Sequence, residues 1–276
     1  MVMSVNTNVG AQVALQNLNA TNAQLSLTQN RINTGKSVAT AKDNGAIWAI
    51  AQGQRADIGA LNAVKQSLDR GVAAVDVALA AGESVSDLLL QMKEMALAAT
   101  DLSLKTAARA ALNEDFVSFR DQIASVTANA EFNGLNLLKT GAQGFQALAN
   151  AQGTATLTVG AEVMSLSSAT VTVTTTQSIT TLSKANEALS AVSASIDLVS
   201  GALARLGTKS KALSTHITFV GKLTDALEAG VGNLVDADLA KESAKLQALQ
   251  TKQQLGVQAL GIANQTPQLV LSLFRG

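Results

Sequence analysis

Proline occurs once in this chain of 276 residues, at Pro267. Proline is the residue that most strongly interrupts a helix interior, since it lacks the amide donor and clashes with the preceding turn. A chain that keeps it out of its first 266 positions is free to build very long helices. The apolar fraction of 47% is rich in alanine, leucine and valine, and aromatics make up only 3%. Such a mixture suits slender helical seams better than one thick core.

Heptad spacing follows. Ile58, Leu61, Leu68, Val72, Val75 and Leu79 step by alternating threes and fours, interrupted only at Lys65. Leu112, Phe116, Phe119, Ile123, Val126 and Ala130 repeat the pattern. The longest run is Leu182, Ala185, Leu189, Val192, Ile196, Val199, Leu203 and Leu206, continuing through Ser210, Leu213, Ile217, Val220, Thr224 and Leu227. A narrow stripe sustained this long requires a partner helix along its length. At about 1.5 Å per residue the last helix predicts an element roughly 70 Å long.

The chain ends carry weaker stripes. Leu15, Leu18, Leu25 and Ile32 are spaced around polar Asn22 and Gln29. Val235, Leu239, Leu246, Leu249 and Leu260 alternate with Glu242 and Gln253. Polar seam residues reduce stability but fix register and partner. Helices with so little apolar area order when packed against others, so the free chain is expected to have loose ends and a firm middle. Between Lys139 and Thr181 the heptads stop and Gly, Thr, Ser and Val take over. Thr154–Val159 and Ala169–Val173 alternate with period two, which predicts short strands, and Asn133-Gly134 signals a turn. The expected fold is mainly α: a long antiparallel coiled-coil or helical-bundle rod made by the N- and C-terminal halves, with a small β-containing insert. The insert is expected to add little to the long seams.

Charge is balanced at 20 basic and 20 acidic residues without a basic block, which disfavours nucleic acid as a partner. No cysteine is present, so thiolate chemistry is excluded. The first basic residue is Arg31, so no charged region opens a secretory signal of the usual kind. No run reads as both apolar and uncharged over a membrane-spanning length, so no membrane partner is expected. The sole histidine, His216, cannot assemble a usual zinc site and reads as the flank of a seam. Glycines at 10, 35, 45 and 53 lack the spacing of a phosphate loop, and the lone Trp48 reads as packing. Asp236 and Asp238 read as capping charges ahead of the last helix. No catalytic constellation, metal site or cofactor site is legible.

Several motifs in order resemble one family. Ser4-Val-Asn-Thr-Asn8 leads into Leu15-Gln-Asn-Leu-Asn19, and Arg31-Ile-Asn-Thr-Gly35 precedes Ala41-Lys-Asp-Asn-Gly-Ala46. Glu131-Phe-Asn-Gly134 precedes Leu137-Leu138. Asp236-Ala-Asp238, Gln250–Gln254, Ala263-Asn-Gln265 and Leu271–Arg275 close the chain. Over roughly residues 4–139 and 182–275 the sequence resembles bacterial flagellins, with a short middle. The resemblance implies a structural subunit that polymerises into a helical flagellar filament, without enzymatic activity. It implies N-terminal (1–40) and C-terminal (235–276) core helices that pair, two halves of a helical layer (41–138 and 182–234), and an outward insert (139–181). It also implies export through the flagellar type III channel, and as partners the export apparatus, a flagellin chaperone, the filament cap and hook-junction proteins. Thr154, Thr156, Thr158, Ser165 and Ser167 are candidates for O-glycosylation, as in some flagellins. Flagellins seen by the innate flagellin receptor carry arginine where this chain has Gln91. An amide lacks the bidentate donor, so that recognition is not implied.

The candidate assembly residues are Leu15, Leu18, Leu25, Ile32, Leu239, Leu246, Leu249 and Leu260. Leu260→Lys is expected to abolish filaments while the monomer keeps its helices. A hook–filament junction protein, a coiled-coil binding module and an enzyme are the competing readings. Long tubes formed by purified protein, seen by electron microscopy, separate the filament reading from all three.

Overall fold

The computed structural model describes residues 7–273, with side chains up to residue 265. Ser4, Val5, Asn6, Phe274 and Arg275 of the terminal motifs lie outside the described residues. Among the described residues the order is α1 (Val9–Thr34), α2 (Gly45–Ala99), α3 (Thr106–Asn129), β1 (Phe145–Leu148), β2 (Thr156–Val159), α4 (Leu182–Val235) and α5 (Leu239–Leu273). The chain divides into two compact units, one of residues 1–56 with 226–276 and one of residues 57–225. The 54 residues of α4 rise about 80 Å at 1.5 Å each.

In the first unit α1 packs against α5. Asn8 caps α1 by accepting from the amide of Ala11 (3.0 Å) and donates through Nδ2 to Ala263 O (2.7 Å). Gly35 ends α1 in the left-handed conformation (φ 68°), where a Cβ would be strained. Beyond it the chain is held by Ser37 N donating to Val235 O (2.7 Å) and Ala237 N donating to Gly35 O (2.9 Å). Asp43 organises the next turn, its Oδ2 accepting from the amides of Ala39 (3.1 Å) and Thr40 (2.9 Å). The Thr40 hydrogen bonds hold the Asp43 carboxyl below its ordinary range, helped by the charge of Arg31. Asn44 then caps α2 through Ala46 N and Ile47 N. Asp238 caps α5 through Lys241 N (3.1 Å), whereas Asp236 pairs with Lys36 backbone to backbone, in an isolated antiparallel β-bridge.

In the second unit α2 and α4 lie side by side and antiparallel. Ser210 Oγ donates to Asp76 Oδ1 (3.2 Å), and a Cβ on Gly82 would meet Leu203 at 2.6 Å. The buried stripe of α2 is Leu61, Val64, Leu68, Ala74, Val75, Ala78, Val85, Leu89, Met92, Ala96 and Ala99. On α4 it is Ala185, Ala188, Val192, Ser195, Val199, Ala202, Leu206, Leu213 and Val220. Over residues 61–79 of α2 and 185–206 of α4, every second predicted seam site is displaced by one residue. Val64 replaces Lys65, and Ala188, Ser195 and Ala202 replace Leu189, Ile196 and Leu203, which are half-buried flanks. The smaller residue takes the centre because it lets the helix axes approach, while the larger aliphatic covers the seam from the side. The apparent break at Lys65 disappears, since Lys65 is exposed. By length and composition α4 is also apolar enough to cross a bilayer, although every 18-residue stretch of it carries charged residues, in line with the reading that no such run is both apolar and uncharged.

The segment 139–181 holds the antiparallel pair β1–β2, with Phe145 opposite Val159 and Leu148 opposite Thr156. Thr156–Val159 is therefore a strand, as its alternation predicted. Ala169–Val173 is not; only Val171 bridges, to Leu166, and Thr172 turns to α4 instead. Its amide donates to Ser195 Oγ (2.9 Å) and its hydroxyl to Ala191 O (2.8 Å). Met164, Val171, Val173 and Ile179 are fully buried, so the segment supplies core and is not a marginal addition. Gly71 and Gly82 make room for it, since a Cβ would meet Phe145 at 2.8 Å and Met164 at 3.2 Å respectively. His216 closes it at the other end, its Nε2 2.8 Å from Ala149 O and its ring tilted against Phe219. At the end of α3, Phe132 and Leu135 pair across a two-residue turn with Asn133 at φ 50° and Gly134 at φ 82°, as Asn-Gly predicts. Asn136 is buried and fully used, donating to Thr127 O (2.9 Å) and accepting from Leu138 N (2.8 Å).

Candidate assembly surface

The α1/α5 seam is built from Ala11, Ala14, Leu18, Thr21, Leu25, Thr28 and Ile32 facing Glu242, Leu246, Leu249, Gln253, Gly256, Leu260 and Ala263. Leu18 touches the position of Gly256, where a Cβ would lie 3.3 Å from Leu18 Cδ1. Gln253 Nε2 donates to Asn22 Oδ1 (2.7 Å), and Arg31 Nη1 donates to Glu242 Oε1 (3.1 Å). Of the predicted residues, Leu18, Leu25, Ile32, Leu246 and Leu260 are half-buried here and Leu249 is buried. Leu15 (48% exposed) and Leu239 (49%) are not in the seam. The same one-residue displacement explains Leu15, because Ala14 takes its place. The seam is thus closed within one chain, and its leucines face a partner that the chain already provides.

Both helices carry a second apolar stripe. Val9, Val13, Ala20 and Leu27 on α1, and Ala244, Ala248, Thr251, Leu255 and Ile262 on α5, are all exposed. At 100° per residue each stripe lies roughly 120–140° around its helix from the seam. The α5 stripe keeps heptad steps of its own. The sequence contained this second period, but a search for one stripe per helix hides it. Thr154, Thr156, Thr158 and Ser167 are exposed, while Ser165 is half-buried with its hydroxyl 2.7 Å from that of Thr140. Gln91 is exposed on α2. Among the described residues no group of three His, Asp or Glu side chains could hold a metal ion.

An α-helical subunit whose two ends pair with each other, and still present exposed apolar stripes, has the form of a self-assembling structural protein. Residues 5–143 match the family model for the bacterial flagellin N-terminal helical region, and residues 189–274 that for the bacterial flagellin C-terminal helical region. The chain is 56% identical to flagellin FljK of Caulobacter vibrioides, covering 99% of this chain and 98% of the relative. It is 36% identical to a flagellin of Brucella melitensis, with 99% of each covered. In fold it is similar to a solved structure described as a flagellar hook-associated protein from Vibrio parahaemolyticus. That likeness has TM-score 0.56 at 14% identity and covers 70% of this chain and all of that one. The chain belongs to the bacterial flagellin family. It is a structural subunit of the flagellar filament, self-polymerising and extracellular, and not an enzyme.

Proposed function

We propose that subunits polymerise through the exposed stripes, Val9, Val13, Ala20 and Leu27 on α1 and Leu255 with its alanine neighbours on α5. The exposure of Leu255 (58%) beside a seam already closed within the chain is the observation that carries this reading. Unlike patches on neighbouring copies form heterologous contacts that need not close into a ring, which is the geometry of a helical polymer. On this reading residues 1–40 and 235–276 form the filament core, 41–138 and 182–234 a layer around it, and 139–181 face outward. The subunit is exported by the flagellar type III apparatus, and meets a flagellin chaperone, the filament cap and hook-junction proteins. The exposed Thr154, Thr156, Thr158 and Ser167 are the better glycosylation candidates, since the Ser165 hydroxyl is engaged. Gln91 gives the innate receptor no guanidinium to grip.

The test compares two leucines on one helix. Leu255→Lys removes roughly 1.5–3 kcal/mol of burial and puts a charge into the contact, so the critical concentration should rise at least about 10²-fold. Helicity and melting of its monomer should be unchanged. Leu249→Lys should instead lower monomer helicity, because Leu249 is in the closed seam. Leu260→Lys is a poorer probe than it looks in sequence, since it strikes that seam too. Pelleting and circular dichroism read both effects, and wild-type polymerisation of Leu255→Lys would sink the proposal.

A further inference from the structure

The apolar residues of α1 do not say where along α5 it should sit. Leu18, Leu25 and Ile32 recur every seven residues, with small Ala14, Thr21 and Thr28 between them. A slide of one heptad returns the same apolar ladder to the same partner, so burial alone leaves the register degenerate. The polar contacts are not degenerate. Asn8 meets Ala263, Asn22 meets Gln253 and Arg31 meets Glu242, all in one antiparallel alignment.

Of these, the ion pair discriminates most. Glu242 stands in the centre of the seam, only 9% exposed, and Arg31 reaches it from the flank of α1. The pair makes one hydrogen bond; Glu242 Oε2, Arg31 Nε and the Thr28 hydroxyl are buried without a hydrogen-bond partner among the described residues. A half-satisfied buried pair contributes little net stability, yet removing its counter-charge is severe. A one-heptad slide sets Gln24 where Arg31 stands and leaves the Glu242 carboxylate buried with an uncharged neighbour.

We propose that Arg31 and Glu242 are positioning residues that specify the register of α1 on α5. Resting on the assembly reading above, the pair thereby fixes how the open stripes of the two helices line up for a neighbouring subunit. Its contribution is to select one alignment, not to hold the helices together.

The chain has no native cysteine, so engineered disulfides can report the register in full-length monomer. A Cβ on Gly256 would lie 3.9 Å from Leu18 Cβ, within the range a disulfide needs. Leu18→Cys with Gly256→Cys therefore reports the native register. Leu18→Cys with Leu249→Cys reports the slide, because Leu18 then stands where Leu25 stood. In the native background the first pair should oxidise at least about tenfold faster than the second. Combined with Arg31→Leu and Glu242→Leu, the two rates should come within about threefold of each other, while helicity and melting temperature hold or rise. A tenfold preference surviving in that background overturns the proposal. If the double variant loses helicity, Glu242→Gln decides the matter: its preference should fall below about fivefold, and an unchanged one overturns the proposal. Because the readout needs no polymer, it fails or succeeds independently of the Leu255→Lys test.

Discussion

Gly144 stands where a side chain has nowhere to go, since a Cβ there would press on the carbonyl oxygen of Val159 across the β1–β2 pair. Backbone cannot swing aside as a side-chain end can. Gly144→Ala should therefore destabilise the second unit by about 1–3 kcal/mol, read as a lower urea midpoint. Gly160→Ala, which meets only open space, is the control and should be neutral or slightly stabilising. Asp43 gives a second residue-scale prediction. Its carboxyl is held low by hydrogen bonds from Thr40, so in acid the unfolded chain takes up the proton first. The turn's contribution is complete above the ordinary carboxylate range and is lost only as pH falls through the lowered value. Carboxyl carbon NMR should show Asp43 titrating below free aspartate, and Thr40→Ala should move that midpoint up.

At the scale of elements, the helices were legible from the absence of proline, from heptads and, for α5, from the cap Asp238, whereas the cap Asn8 emerged only from the structure. The seam centres were only half legible. Leu18, Leu68, Val192 and Leu206 were right because both readings of a three–four step share them. Ala14, Ala188 and Ser195 were missed because a hydrophobicity count prefers Leu15 or Leu189 to a small neighbour, whereas axis separation prefers the reverse; Val64 was missed because the step count was carried rigidly through Lys65. The stretch 139–181 was misjudged for a related reason. Its burial of Met164 and Ile179 depends on Gly82 and Ser195, far away in sequence. Excising residues 143–176 removes Met164, Val171 and Val173 from the core, each worth roughly 1.5–3 kcal/mol. The melting temperature of the second unit should drop by more than about 10 °C, where an appended insert would leave it unchanged.

For the whole molecule, the two units are built to different standards. The α1/α5 seam contains Thr21, Thr28, Glu242 and Gln253, whereas the buried stripes of α2 and α4 are almost entirely apolar. In free monomer, amides of α1 and α5 should exchange at least about 10²-fold faster than those of 61–99 and 185–220. Equal protection in a verified monomer would show that the polar seam residues do not weaken the α1/α5 pairing. Family membership was legible from motifs at both ends. The open stripes were not, because they become visible only once the closed seam has claimed its residues.

The small residues at the seam centres decide how such a chain can drift in evolution. A globular core erodes chiefly by losing volume: a leucine becomes alanine and a hole opens. Here Gly82, Ala188, Ser195 and Ala202 already sit near the lower limit of side-chain size while fully buried. Most changes available to them are enlargements, and an enlargement wedges two long helices apart over several turns. The flanking Leu189, Ile196 and Leu203, half in solvent, can be trimmed with less harm. The lineage of such a protein should therefore hold its smallest residues fixed and let its larger ones vary, the reverse of what a residue's size usually suggests about its importance.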